Sequence, residues 1–414
     1  MTSNWPIVRL GDVCDIARGG SPRPIQSFLT DAPDGVNWIK ISDATASGKY
    51  IFKTEEKIKP EGVKRSRLVR DGDFLLSNSM SFGRPYIMRT TGCIHDGWLV
   101  LSDKSRTFDQ DFLYYFLGSG AAYKQFDELA AGSTVRNLNI ELAKKVRIPV
   151  PPYSEQQRIA AILDEAFEGL TVAAANAERN LKNARELFDS YLNSVFTQKG
   201  EGWMEGQLGS IGGDVFTGPF GSLLHKSDYV RGGVPLVNPA HIIDGKIVPD
   251  NEKTVDMAVM ERLINYRLRY GDIVIGRRGE IGRCAVVTRQ EEGWLCGTGS
   301  FVIRPFDGVN PWFLAHLLRS KYYRQVLETL STGATMLNLS NTSLSNLGIR
   351  MPDLRRQQTT LDAIDPLYSE VERICEIYSQ KLISIPELRQ SILHKAFSGE
   401  LTTRPSTTTL EAVA

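Results

Sequence analysis

The chain has 414 residues, 42% apolar and 23% charged, and its 49 Lys and Arg against 48 Asp and Glu give a formal charge of +1. This is the make-up of an ordinary soluble protein with room for two or three domains. It excludes wholesale basicity, so any nucleic-acid surface must be a local patch. The five cysteines (Cys14, Cys93, Cys284, Cys296 and Cys375) form no CxxC pair, which speaks for reduced thiols in a cytoplasmic protein and against a disulfide framework or a zinc site. The first ten residues lack a signal-peptide pattern, and no run approaches 18 apolar residues, so no membrane association is expected.

In chain order, residues 1–153 read as a first globular unit. Short β-like runs fall at Asn37–Ile41, Asp73–Leu76 and Gly97–Leu101, punctuated by Gly and Pro, and one amphipathic helix is expected at about Gln110 to Phe126. From 154 to 199 the pattern predicts one long helix. Its apolar seam runs Ile159, Leu163, Ala166, Leu170, Ala173, Ala177, Leu181, Ala184, Phe188, Tyr191 and Val195. The steps of four and three, with one extra four, are those of a coiled coil carrying a stutter. Ser154 with Gln157 reads as the N-cap and capping-box partner, and a helix of this length spans roughly 60 Å.

Residues 200–354 repeat the first unit. Trp5, Leu10 and Gly11 match Trp203, Leu208 and Gly209, and Gly72-Asp73 and Gly83-Arg84 match Gly271-Asp272 and Gly282-Arg283. Gly132, Leu138 and Pro151 match Gly333, Leu339 and Pro352. A second long helix follows at 355–400, its seam at Thr360, Ile364, Leu367, Val371, Ile374, Tyr378, Leu382, Ile385, Arg389, Ile392 and Ala396. Gln156-Gln157 recurs as Gln357-Gln358, Asp164 as Asp365 and Phe196 as Phe397. A kink is expected near Pro386. Residues 401–414 read as a disordered tail. The expected fold class is mixed α/β: two tandem-duplicated globular domains separated by two long antiparallel coiled-coil helices, with pseudo-two-fold symmetry. The antiparallel arrangement follows if each domain's ends lie close together.

The sequence offers no catalytic constellation. It has no GxxxxGK[ST] loop, no HExxH and no GxSxG elbow, and its five histidines are scattered. Pro151-Pro152-Tyr153 follows Val150, not the Asn or Asp that an adenine methyltransferase needs, so it reads as the turn into the helix. Asp71, Asp73 and Asp272 would be the acids of a Mg²⁺-dependent nuclease, but Gly-Asp before a strand is commonly a turn and no ExK follows.

Local basicity does recur at matching places. Residues 53–70 hold seven Lys or Arg against three acids, and 262–289 hold seven Arg against two. The turns Ser77–Arg84 and Gly276–Arg283 occupy one repeat position with different side chains, which suggests two sites reading different targets. The candidate DNA-contacting residues are Lys64, Arg65, Arg67, Asn78, Ser79, Arg84, Ser133, Thr134 and Arg136 in the first unit. In the second they are Arg267, Arg269, Arg277, Arg278, Arg283, Thr335 and Asn338. No metal ligands are expected. A scaffold or coiled-coil adaptor without DNA contact is the alternative.

The chain resembles the specificity subunits of type I restriction–modification systems over nearly its whole length. The marks are Pro151-Pro152-Tyr153-Ser154-Glu155-Gln156-Gln157-Arg158-Ile159-Ala160, the close from His394 to Leu401, Gly218 to Ser222, and the turns at Gly132 and Gly333. The resemblance implies a non-catalytic subunit whose two domains each read half of a bipartite double-stranded DNA target. It implies long helices that set the spacer and dock two methyltransferase subunits, with restriction/translocase subunits completing the complex. Seam residues Ile159, Leu163, Leu170, Leu181, Phe188, Ile364, Val371, Ile374, Leu382, Ile385 and Phe397 would serve packing and docking. No cofactor is expected on this chain; S-adenosylmethionine, ATP and Mg²⁺ would belong to the partners.

Overall fold

The structure, a computed structural model, describes residues 5–78, 83–103, 105–130, 138–198, 202–219, 223–331 and 338–401. It divides into two units, Met1–Ala177 with Gln380–Ala414, and Glu178–Ser379. Each unit takes one globular domain together with a segment of both long helices.

The first domain is built on a five-stranded sheet ordered Asp15–Arg18, Trp98–Ser102, Phe74–Ser77, Pro85–Met88 and Tyr50–Ile51. A four-stranded sheet, ordered Glu56–Ile58, Val36–Ile39, Gly92–Ile94 and Arg67–Val69, contains a parallel pair between Val36–Ile39 and Gly92–Ile94. The second domain repeats the frame. Gly213–Thr217, Ser300–Pro305, Ile273–Gly276 and Cys284–Val286 follow the order of the first four strands, and Val234–Val237 pairs in parallel with Leu295–Cys296. In each domain a two-stranded pair closes the chain just ahead of the long helix: Ile7–Arg9 with Arg147–Pro149, and Met204–Gln207 with Gly348–Met351. The duplication seen in the sequence is thus a duplication of strand order.

The single helix expected near Gln110–Phe126 is two, Gln110–Leu117 and Gly120–Ala130. Ser119 makes the break. Its hydroxyl donates to the Phe116 carbonyl at 2.6 Å, a local bond that competes with continuing the helix. Ser320 does the same to Leu317 at 2.7 Å between Pro311–Arg319 and Lys321–Leu330.

Both long helices are 45 residues, Tyr153–Thr197 and Leu354–Ser398. Ten of the eleven seam positions in the first, and all eleven in the second, are buried or half-buried, Ala173 alone being exposed. Phe167, Leu192 and Phe196 are buried as well, because the helices also face the globular cores and need a wider apolar stripe than a coiled-coil seam. Ile159, Leu163, Phe167, Leu393 and Ala396 share one core with Phe112 and Phe116. Phe188, Leu192, Leu361 and Ile364 share another with Phe313 and Leu317. Burying each Phe, Leu or Ile side chain among these contributes about 1.5–3 kcal/mol. In the second unit Asn180 donates to the Tyr378 hydroxyl and Phe188 meets Tyr368, so the two helix segments run antiparallel. Pro366 and Pro386 sit on the exposed side of a helix that is continuous through both; the expected kink does not interrupt it. Among the described residues no helix is long and apolar enough to cross a membrane.

The capping expected from Ser154 and Gln157 is replaced by a different device. The first long helix starts at Tyr153, with the Pro152 carbonyl accepting from the Glu155 and Gln156 amides. The Gln156 side chain is 1% exposed. Its Oε1 accepts from the Asp109 amide at 2.8 Å, and its Nε2 donates to the Thr107 and Pro151 carbonyls, each at 3.0 Å. Gln357, also 1% exposed, repeats all three bonds: from Asn310 N at 2.7 Å, to Gly308 O at 3.1 Å and to Pro352 O at 2.8 Å.

Gln357→Ala leaves an amide and two carbonyls without these partners and is expected to destabilise the second unit by about 2–4 kcal/mol. Urea denaturation measures this, and an unchanged midpoint would show that water replaces the carboxamide. A second expectation concerns His316, which is 5% exposed, packs between Phe188 and Tyr368, and has an unpartnered Nδ1. Burial, then Arg319, lowers its pKa from 6.5 to about 3. The unfolded chain therefore takes a proton that the folded one refuses, and this stability is full above 6.5 and lost as pH falls toward 3. Between about pH 7.5 and 4.5 the loss is roughly 2–3 kcal/mol. His316→Leu should remove that part of the slope; identical pH profiles for the two proteins would refute it.

Candidate nucleic-acid interface

The two turns singled out by sequence stand on one backbone frame. Ser77 N donates to Arg84 O at 2.9 Å, and Gly276 N to Arg283 O at 2.8 Å. Asn78 N donates to Gly97 O and Arg277 N to Gly299 O, each at 3.0 Å. Leu138 N and Leu339 N then donate to the carbonyls of Asn78 and Arg277, each at 2.9 Å. The last contacts bring Leu138 and Leu339 onto the strand-end turn. Gly83 and Gly282 both have positive φ, +76° and +81°, where a side chain would be strained.

On this frame the side chains differ. Asn78 is 1% exposed and its Nδ2 donates inward to Asp96 O at 2.9 Å. It supports the loop and presents nothing outward, which corrects its selection as a surface contact. Arg277 is half-buried, its guanidinium 5.3 Å from the Phe301 ring and its Nε donating to Asn338 Oδ1 at 3.3 Å. Burial and the adjacent Arg278 hold its pKa below the usual arginine value. Arg278 is exposed and bridges Asn338 through the backbone. The structure thus brings Arg277, Arg278 and Asn338 together. Arg283 is half-buried and paired with Glu280. Arg267 and Arg269 are exposed at the opposite end of strand Ile273–Gly276, about 13 Å away along a four-residue strand, so the second unit's basic residues form two groups.

In the first unit Lys64, Arg65, Arg67 and Arg84 are exposed. Arg65 lies over Phe28 at 5.4 Å, and Arg67 Nε donates to Arg18 O at 2.8 Å. Arg18 and Arg23, not selected from sequence, join this group through Asp96, at 4.0 and 3.9 Å. Arg18 ends the strand Asp15–Arg18, and Arg23 lies in the Gly19–Pro24 loop that follows, whose composition reads only as a turn. Ser79, Ser133, Thr134, Arg136 and Thr335 lie outside the described residues.

The acids considered for a nuclease centre are structural. Asp272 is 1% exposed, accepts from Arg304 at 2.8 and 2.7 Å and from Arg269 N at 2.8 Å. Asp73 accepts from Arg70 N at 2.7 Å, and Asp71 pairs with Arg89 at 3.4 Å. Among the described residues no cluster of His, Cys, Asp or Glu is placed to hold a metal. Burial pushes the Cys14 and Cys284 thiols up to about 12, far from nucleophilic. In the second unit a cleft of about 1200 Å³ is bordered by Arg319 and Arg324 but equally by Asp189 and Glu372, a mixed lining with no preference for anions.

The family model described as the type I restriction modification DNA specificity domain matches the chain twice, over residues 2–180 and 201–379. The type I restriction enzyme MjaVIII specificity subunit of Methanocaldococcus jannaschii is 21% identical, over 96% of this chain and 93% of the relative. The EcoBI specificity subunit of Escherichia coli is 22% identical, over 96% and 86%. Among solved structures, the HsdS subunit from Thermoanaerobacter tengcongensis has a TM-score of 0.59 at 21% identity, covering 96% of this chain and 97% of that one. A chain from work on complex assembly and conformational transition of the type I R-M system reaches 0.78 at 20% identity, covering 97% and 100%. These structural likenesses speak for the fold.

Proposed function

The chain belongs to the type I restriction–modification DNA specificity family, and from that premise we propose that each globular domain reads one half of a bipartite double-stranded DNA target. The observation that carries this is the pair of turns with the same backbone hydrogen bonds and different side chains: Asn78 folds inward in one, while Arg277 and the exposed Arg278 stand at the other. A duplicated frame with divergent tips suits two recognition events of different sequence. A scaffold gives no reason for it.

In this reading Arg278, with Arg277 and Asn338, faces base edges, where an arginine finds its bidentate partner on guanine. Lys64, Arg65, Arg67, Arg267 and Arg269 hold phosphates, and Arg84 and Arg283 support the turn bases. Ser79, Ser133, Thr134, Arg136 and Thr335 remain candidates by their place in the chain. The long helices set the spacer and dock two methyltransferase subunits through apolar positions such as Leu170, Leu181, Ile374, Leu382 and Ile385. S-adenosylmethionine, ATP and Mg²⁺ reside on those partners and on the restriction subunits, and the complex works in the cytoplasm.

The deciding experiment is methylome sequencing of cells carrying this chain with its methyltransferase, against cells lacking the chain. Loss of N6-methyladenine at one split motif is expected; an unchanged methylome would return the protein to the scaffold reading. Arg278→Ala is expected to weaken binding to the cognate duplex by about 1–3 kcal/mol more than to random duplex. Equal losses on both would reduce Arg278 to a phosphate contact.

A further inference from the structure

Each domain is fastened to the long helix that follows it at two points. The first is the buried glutamine, Gln156 or Gln357. The second is a Gly-Lys turn at one repeat position, Gly48-Lys49 and Gly245-Lys246, whose glycines have φ of +72° and +80°. Only a residue free to enter the left-handed region turns the chain there at low cost, and it aims the lysine at the helix.

In the first unit the Lys49 ammonium is 14% exposed and lies 2.8 Å from Asp111 and 3.0 Å from Asp164 of the long helix. The Tyr50 hydroxyl donates to Asp111 at 3.0 Å, the Tyr115 hydroxyl donates to Asp164, and the Tyr115 ring sits 4.6 Å from the ammonium. In the second unit Lys246 meets Glu372 of its long helix at 2.8 Å. The carbonyl of Asp244, one residue before the glycine, accepts from the Tyr368 hydroxyl of the same helix at 2.8 Å, while its carboxylate accepts from Arg185 of the first long helix at 3.1 Å. The lysine thus carries most of the second fastening in the first unit, and the whole turn shares it in the other.

Two fastenings on one helix do what one cannot: they fix the direction of the helix against the domain. They lie eight residues apart in the first unit, about 12 Å, and fifteen in the second, about 22 Å. We propose that Lys49, and with a smaller share Lys246, are positioning residues that hold each domain at a fixed angle on its helix and so determine which spacer between the half-targets is accepted. This rests on the bipartite reading above.

The test uses the full chain assembled with its methyltransferase subunits. The probes are duplexes carrying both half-targets with the spacer matched, one base pair shorter or one base pair longer. Wild type is expected to prefer the matched spacer. Lys49→Met should keep both half-targets but lower the matched-to-longer affinity ratio by about tenfold, with Lys49→Arg retaining most of it. Asp164→Asn, an isosteric change on the helix side, should reproduce the effect and add little to Lys49→Met, whereas Lys246→Met should give a smaller drop. A wild-type ratio in a folded Lys49→Met protein, or equal weakening at all three spacers, would overturn the proposal. Wild type binding all three duplexes alike would instead overturn the bipartite reading on which it rests.

Discussion

A helix that leaves a globular core must satisfy its first backbone groups at the point where water is excluded. Here one side chain does so for both domain and helix. A carboxamide carries an acceptor and two donors on one rigid plane, and Gln156 uses all three: an amide ahead of Gln110–Leu117, a carbonyl of the same loop, and the proline carbonyl before the helix. Glutamate would bring an uncompensated charge into a closed site, and asparagine is one methylene short. Gln357 makes the same three bonds 201 residues later, so this junction is conserved between the repeats at the level of individual atoms.

From that junction the division between fixed and variable parts follows. The strand order, the parallel pair and the bonds that close each strand-end turn are backbone features, indifferent to side-chain identity, and they recur in both units. Side chains at the turn are then free to diverge. Asn78 folds inward against Asp96 and Arg277 leans on Phe301 toward Asn338, yet the backbone beneath them makes equivalent bonds. A frame that accommodates such different side chains can acquire a new specificity without being rebuilt.

Much of this was legible in the sequence because it rests on periodicity and repetition. Seam residues recur at helical spacing, and the same landmarks return at offsets near 200, so fold class, helix lengths and duplication could be read directly. What was missed depends on competition between local and tertiary bonds. Ser119 ends a helix whose apolar pattern runs on, since its hydroxyl takes a carbonyl that the next turn would have used. Ser154 is a good cap by type, but the Pro152 carbonyl and the Gln156 carboxamide already serve that end. The candidate interface was less legible still. Arg278 and Asn338, 60 residues apart, meet only through a tertiary backbone bridge, and Asn78 has a suitable side chain that is buried. For Lys49, nothing in the neighbouring sequence names Asp111 or Asp164.

The charge distribution bears on how such a protein holds DNA. With a net charge of +1, the chain has little long-range attraction for a polyanion, so affinity must come from contacts that are few and local. The exposed basic side chains assigned to phosphates, Lys64, Arg65, Arg67, Arg267 and Arg269, would release counterions worth a salt slope of about −4.5 if each met one. That is a moderate electrostatic component for a target split into two halves. It leaves discrimination to the turn side chains and, on the proposal above, to the angle of each domain on its helix. A specificity subunit of this design gains by being a weak general DNA binder, because strong nonspecific contacts would mask the difference between a matched and a mismatched half-target.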